Sequence, residues 1–428
     1  MSLLDRVGLN RRELRAWAMY DWANSAAQCT IVTAVFPLFF SSVAASGLEP
    51  VIATQRFAWV TTLGVAIGAV LGPILGVLAD YRALRKTLLA VCVAAGAGAT
   101  AAMIFIDDGE WIFASVLFLI TNVALATSFV FYDSLLPHVA RPHEMDRVST
   151  SGYALGYIGG GLLLAVNLAW ILKPSFWGLP GTVAAIKLSF ASVAVWWVAF
   201  TLPLFRRVPE PPMVKAPGNG AAFSLLRQTW VTFLSLRQYR QASWLLLAFL
   251  LYNDGIQTMI KMAAVYGAEI GIGMNAQIAA FVVVQFVGVP CSFLFGALAD
   301  RVGAKPSLYL AIAVYVVIAL IGYGMTTTGE FFLLAVMVGM VQGGAQALSR
   351  SIFARMIPAA RSTEYFGFFS VFEKVAGILG PLMFGAAVAL TGSSRPAVLV
   401  LVVFFVLGGA ALSRVNVAEG EREARAGA

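Results

Sequence analysis

The sequence predicts an all-α membrane protein with twelve transmembrane helices in two six-helix pseudo-repeats. Composition is the first observation behind that reading. Of 428 residues, 60% are hydrophobic and 12% charged, with a mean hydropathy of +0.84, against roughly 25% charge in a soluble chain. Second, twelve apolar runs approach the roughly 20 residues that a bilayer-spanning helix needs. Third, one charged turn occurs twice, as GVLADYRALRK from Gly76 to Lys86 and as GALADRVGAK from Gly296 to Lys305. Each copy ends one apolar run and precedes another.

The chain opens with a polar, arginine-rich segment over residues 1–16, too long and too charged for the basic head of a cleavable signal peptide. An N-terminal bundle follows over residues 17–205, with spans at Trp17–Phe40, Phe57–Ala79, Thr87–Ile106, Trp111–Leu136, Gly152–Leu172 and Val183–Phe205. Residues 206–240 read as a cytoplasmic linker rich in Pro, Gly and basic residues. Its later part, AFSLLRQTWVTFLSLRQYR, has the pattern of an amphipathic helix with Arg227, Arg237 and Arg240 near lipid headgroups. The C-terminal bundle, residues 241–413, has spans at Ala242–Gly267, Ala276–Ala299, Ser307–Met325, Phe331–Ala354, Tyr365–Leu390 and Pro396–Leu412, and residues 414–428 form a tail.

Connections on the side of the termini hold 22 of the 29 lysines and arginines, whereas the other side holds Arg56, Lys173 and Arg395. By the positive-inside rule both termini are expected in the cytoplasm. Arginine outnumbers lysine 22 to 7, a usage that points to a GC-rich bacterial genome and so to a bacterial inner membrane. The net charge of +8 is accounted for by loop residues that orient helices, so no nucleic-acid partner is expected.

The halves are repeats. Gly76 and Gly296 lie 220 residues apart, while Pro137 and Pro358, Gly156 and Gly377, and Gly159 and Gly380 each lie 221 apart. Polar residues recur with the same order in the first and seventh spans. Asp21, Asn24, Ser25 and Gln28 stand at i, i+3, i+4 and i+7, as do Asp254, Gln257, Thr258 and Lys261, which places each set on one helix face. Intramembrane ionisable groups need a partner or a cavity, so two equivalent stripes read as walls of a polar path; helix-to-helix hydrogen bonding is the structural alternative. Gln342, Gln346 and Arg350 add a stripe in the tenth span. At the equivalent positions of the first half stand Thr121, Leu125 and Phe129, so the expected site is asymmetric. Glu373 and Lys374 are adjacent, about 100° apart on a helix, and each is expected to find a separate partner.

The repeated turn resembles the signature loop of the major facilitator superfamily, G-x-x-x-D-R-x-G-R-R. The second copy carries Gly296, Asp300, Arg301, Gly303 and Lys305 at motif positions. In the first copy Gly76 and Asp80 are kept, but Tyr81 and Ala83 replace the basic residue and the glycine, which leaves charge pairing to Arg82, Arg85 and Lys86. The resemblance implies the major facilitator fold, alternating access, and Asp133 as a partner of the loop arginines. Tyr157 stands where antiporters of the superfamily have proline, so the resemblance does not extend to antiport. The segments AMYDWANSA, GYALGYIGGGLLL, LLAFLLYNDGIQT (which includes Asn253), VQGGAQALSRSIFARMIP and GPLMFG are similar to the vacuole-effluxer-like branch, also called the unknown major facilitator family one. For that branch's fungal members the resemblance implies release of amino acids from the vacuole.

Catalysis has little to work with. No Gly-Lys dipeptide of a P-loop, no G-x-S-x-G elbow and no metal-ligand spacing occurs, and Cys29, Cys92 and Cys291 lie inside apolar runs. Neither an enzyme nor a metal or cofactor is expected, and a single chain should suffice. The expected partners are a small-molecule solute, the lipid bilayer and protons. The expected activity is secondary transport of small polar or zwitterionic solutes, with amino acid efflux leading and a drug or amphiphile exporter or a non-transporting receptor as alternatives. Asp254 and Lys261, about 10.5 Å apart along a helix, are expected to hold the two ends of a zwitterion, and Asp21 to carry a proton.

Overall fold

The computed structural model describes residues 3–214 and 225–427. Part of the expected linker, residues 215–224, lies outside the described residues. Twelve long helices run in order: α1 Arg12–Ala44, α2 Pro50–Arg82, α3 Arg85–Ala102, α4 Trp111–Ser134, α5 Met145–Leu172, α6 Thr182–Arg207, α7 Arg240–Glu269, α8 Met274–Val302, α9 Ala304–Gly324, α10 Thr328–Arg355, α11 Ala359–Thr391 and α12 Ser394–Ser413. Among the described residues, eleven of these are long and apolar enough to cross a membrane. The twelfth, α7, is 30 residues long, and Asp254, Gln257 and Lys261 dilute its hydropathy. Twelve spans return the chain to its starting side, so both termini share one face of the molecule.

The helix pairings of the first half recur in the second. In the first half α1 packs on α5 and α6, α2 on α4, and α3 on α4 and α6; α7 packs on α11 and α12, α8 on α10, and α9 on α10 and α12. Across the middle, α5 meets α8 and α10, and α2 meets α11. Small residues permit these approaches. A side chain at Gly72 would meet Val130 of α4 and Gly367 of α11, and one at Gly156 would meet Ser25 of α1.

Two helices depart from regular geometry. α1 starts at Arg12, which puts Asp21 nine residues deep, about 13.5 Å at the usual rise, deeper than a start at Trp17 would give. It also winds into π-helix over Gln28–Ala34 and Phe40–Ala44. α11 is broken: Ser362–Val375 and Leu379–Thr391 are helical, and between them Gly377 takes φ +89°, a left-handed conformation that glycine adopts without a Cβ penalty. The first piece packs on α2 and α4 of the other half, the second on α7 and α12 of its own. The two halves therefore join through α11 chiefly on the face that carries the termini.

Short helices cover that face. Leu225–Ser235 forms the helix expected in the late linker. Its Gln228 donates to the Tyr81 hydroxyl at 3.1 Å, and its Thr232 hydroxyl bonds Glu364, so it touches both halves. The tail helix Val417–Ala426 is tied to α7, where Gln241 donates to Glu419 at 2.9 Å and the Asn416 amide donates back to Gln241 at 2.7 Å.

Candidate transport site between the two halves

The repeated turns sit where one half meets the other. In the first, Asp80 and Arg85 are fully buried and paired at 2.6 Å. The pair reaches across to α11: the Glu364 amide donates to Asp80 at 2.9 Å, and Arg85 donates to the Thr363 hydroxyl at 2.8 Å and to the Ala360 carbonyl at 2.6 Å. Gly76 makes this possible, since a Cβ there would lie 3.0 Å from the Thr363 carbonyl carbon and 3.3 Å from the Glu364 Cα. In the second turn Asp300 pairs with Arg147 of α5, both about a quarter exposed, while Gly296 faces Thr150 and Arg147. Of the remaining basic residues in the turns, Arg82 and Arg301 are exposed, and Arg85 alone closes the first pair.

Deeper in, Arg350 of α10 crosses to the first half. Its guanidinium donates to Asp133 of α4 at 2.9 Å, to the Ser149 hydroxyl and carbonyl of α5 at 2.9 Å each, and to Asp21 of α1 at 3.4 Å. Three rings surround it, with the guanidinium carbon 4.6 Å from the Tyr153 ring centroid, 4.9 Å from Trp17 and 5.5 Å from Tyr132. The Tyr132 hydroxyl donates to Asp21 at 2.7 Å. Arg350 is 1% exposed and Asp21 4%. A planar donor with five N–H groups can satisfy two carboxylates and a carbonyl together while stacking on rings, and in this setting leaving any of them unpaired is costly. Asp133 was expected to pair with the loop arginines. Its partner is instead Arg350, because Arg85 is held by Asp80 and by α11.

The polar stripe of α7 is organised around the break in α11. Asp254 accepts the Gly377 and Gly380 amides, the latter at 2.9 Å, and Lys261 donates to the Gly377 carbonyl at 3.0 Å. Thr258 and Gln257 press on the same two glycines. A helix that restarts at Leu379 leaves its first amides without intrahelical partners, and Asp254 supplies the acceptor. Asp254 and Lys261, expected to clasp the ends of a zwitterion, both meet at Gly377 in this conformation. Three residues before the break stands Lys374, whose ammonium bonds the Ser370 hydroxyl and whose stem lies against α2 at Gly68. Glu373, partly exposed, makes no hydrogen bond or ion pair among the described residues.

The family model described as "Vacuole effluxer Atg22 like" matches residues 50–425. An uncharacterised MFS-type transporter, YxiO of Bacillus subtilis (strain 168), is 37% identical over 399 residues, 93% of each chain. The chain belongs to the Atg22-like family of major facilitator transporters. Autophagy-related protein 22 of Cryptococcus neoformans is 29% identical over 305 residues, 65% of this chain and 54% of that protein, so the match spans about half of the fungal relative. Among solved structures, the MFS proton:xylose symporter XylE bound to 6-bromo-6-deoxy-D-glucose superposes with a TM-score of 0.71 at 14% identity, covering 97% of this chain and 98% of that one, a likeness in fold. The protein is therefore an integral membrane transporter and not an enzyme.

In this Atg22-like chain the other polar residues divide by partner. Gln346 donates to Asn253 at 2.6 Å, joining α10 to α7 within one half. Gln342 lines a cavity of about 230 Å³ in the second half, walled on one side by Tyr157 of α5. Asn24 is fully buried with both amide atoms unpartnered, whereas Gln28, at the start of the π-helical turn, is exposed. Among the described residues no cluster of His, Cys, Asp or Glu is placed to hold a metal ion. Sequence reasoning passed over Trp17, Tyr132, Ser149 and Tyr153, which surround Arg350. Trp17 and Tyr132 flank Asp21 and Asp133 in sequence, yet nothing in their spacing marks an inter-helix cage. Arg147, the partner of Asp300, is in sequence only one of the 22 basic residues on the side of the termini.

Proposed function

We propose that the protein moves small zwitterionic solutes, amino acids first among them, by alternating access, and that this conformation is closed on the cytoplasmic side. One observation carries the reading: buried ionic contacts cross between two equivalent halves on the face that bears the termini, where Asp80 and Arg85 meet α11 and Arg350 meets Asp21 and Asp133. Contacts of that kind hold one access state against the other. The excess of basic residues on the same face supports a cytoplasmic assignment, and the Bacillus relative supports a bacterial plasma membrane. The resemblance to vacuolar effluxers supports amino acids as the solute class. Purified protein in proteoliposomes, loaded with labelled amino acids and assayed with and without a pH gradient, tests this reading. Saturable release establishes it, and the pH arm decides whether protons drive it; release no faster than from empty liposomes for every amino acid refutes it.

A second reading, export of amphiphiles, is favoured by the cavity in the second half. Its walls are mostly apolar, with Met259, Phe281, Ile318 and Phe331 among them. Release of an amphiphilic dye from the same liposomes, with no amino acid release, would establish that reading instead.

A further inference from the structure

The cage around Arg350 has a division that a plain structural ion pair does not need. Every group that receives the guanidinium belongs to the first half: Trp17 and Asp21 on α1, Tyr132 and Asp133 on α4, Ser149 and Tyr153 on α5. The guanidinium comes from the second half, as does the charge of Glu373, which acts on Arg350, Tyr153 and Asp133 without a hydrogen bond. Any motion that parts the halves on this face withdraws Arg350 with α10. It leaves behind two carboxylates converging on one point, walled by three aromatic rings and open to the side from which the halves have parted. The two carboxylates, left converging without their counter-ion, repel each other and draw a cation from solution. A proton would neutralise one carboxylate but gain nothing from the rings. Ring faces attract ammonium groups through their quadrupole, and aromatic cages are a general solution for binding them. One turn along α1 from Asp21, on the same face, Asn24 is fully buried with neither amide atom partnered, a further polar group that the closed conformation leaves unused.

We propose that Asp21, Asp133 and the rings of Trp17, Tyr132 and Tyr153 form the subsite for the ammonium end of the transported solute, and that Arg350 fills this subsite as a tethered surrogate when the termini-bearing face is closed. This rests on the transport reading above and names the solute's charged end. It also supplies a direction. Opening on that face empties the cage for an amine, and closing returns Arg350, which expels the amine toward the opposite side.

The test uses full-length protein in detergent and needs no knowledge of the solute. Thermal unfolding of Arg350→Ala is followed against methylammonium and guanidinium chloride, with sodium chloride at equal ionic strength as the reference. The expected result is a saturable upward shift of a few degrees with methylammonium, and with guanidinium at low concentration. The shift should be absent in wild type, whose cage is filled, and lost when Asp21→Asn and Asp133→Asn are added. A response to methylammonium no larger than to sodium, or one that survives loss of both carboxylates, overturns the proposal. Should Arg350→Ala fail to fold, Arg350→Gln is read in the same way, since it is neutral and leaves both carboxylates without a cation: a saturable gain that needs Asp21 supports the subsite, and no gain overturns it. Wild-type amino acid flux is measured in parallel. Flux without cation binding to the variant defeats the subsite alone, and cation binding without flux defeats the transport reading alone.

Discussion

The two repeated turns share a glycine and an aspartate at the same spacing but differ sharply in burial, and this yields a quantitative prediction for Asp80→Asn and Asp300→Asn. Asp80 and Arg85 are fully buried, whereas Asp300 and Arg147 are about a quarter exposed. Replacing Asp80 by Asn leaves the Arg85 charge buried among neutral acceptors, the Thr363 hydroxyl and the Ala360 carbonyl. Breaking a buried pair by removing one partner costs about 3–5 kcal/mol. The cost falls on the closed conformation, because parting the halves returns Arg85 to water. An exposed pair contributes about 0–1 kcal/mol. Asp80→Asn should then shift the ratio of closed to open molecules by roughly two to three and a half powers of ten, and Asp300→Asn by less than about tenfold. Spin labels on cysteines introduced at His143 and Arg414, exposed positions on opposite halves of this face, in a background lacking Cys29, Cys92 and Cys291, would read the separation by electron-electron resonance. The expected outcome is a majority of long distances in Asp80→Asn and a distribution near wild type in Asp300→Asn. Equal shifts in the two variants, or a larger one in Asp300→Asn, would refute the argument from burial.

Three further outcomes follow from the same contacts. Gly377→Ala forces a left-handed residue to carry a Cβ that would lie 2.9 Å from the Lys261 ammonium and 3.1 Å from the Gln257 Cβ; it should lower thermal stability by about 1–3 kcal/mol, whereas Gly385→Ala, with nothing within 4 Å, should leave the melting curve unchanged. Asp254→Ala removes the acceptor for two amides at the restart of α11 and should cost about 2–6 kcal/mol by melting temperature, at about 1–3 kcal/mol per buried amide left unpaired; a variant that melts like wild type would show that water or another group caps the helix. Gly76→Ala should favour the open state in the spin-label assay more than Gly296→Ala, because the first Cβ meets the Thr363 and Glu364 backbone while the second meets the rotatable Thr150 hydroxyl.

Hydropathy and spacing carried the architecture. Apolar runs of bilayer length set the helix count, because the membrane core admits few alternatives to a helix with all its backbone bonds internal. The 221-residue spacing of Gly156 and Gly377 and of Gly159 and Gly380 showed the duplication. Intramembrane charge drew attention to Asp21, Asp254 and Arg350 for a reason that needs no coordinates: each must find a partner. Which partner was a matter of packing. Asp133 and Arg350 lie 217 residues apart, and no local pattern selects one another's company over the loop arginines that Asp133 was expected to meet. Gly156 and Gly377 are equivalent in the repeat, yet α5 runs straight through the first while α11 breaks at the second. The difference follows from what faces each glycine. Asp21, on the helix beside Gly156, already has Arg350 and Tyr132 as donors, whereas Asp254 meets the Gly377 and Gly380 amides that the break sets free. An acid at the same place in each repeat thus ends with a side-chain cation in one half and with open backbone in the other, because only one half receives an arginine from across the interface.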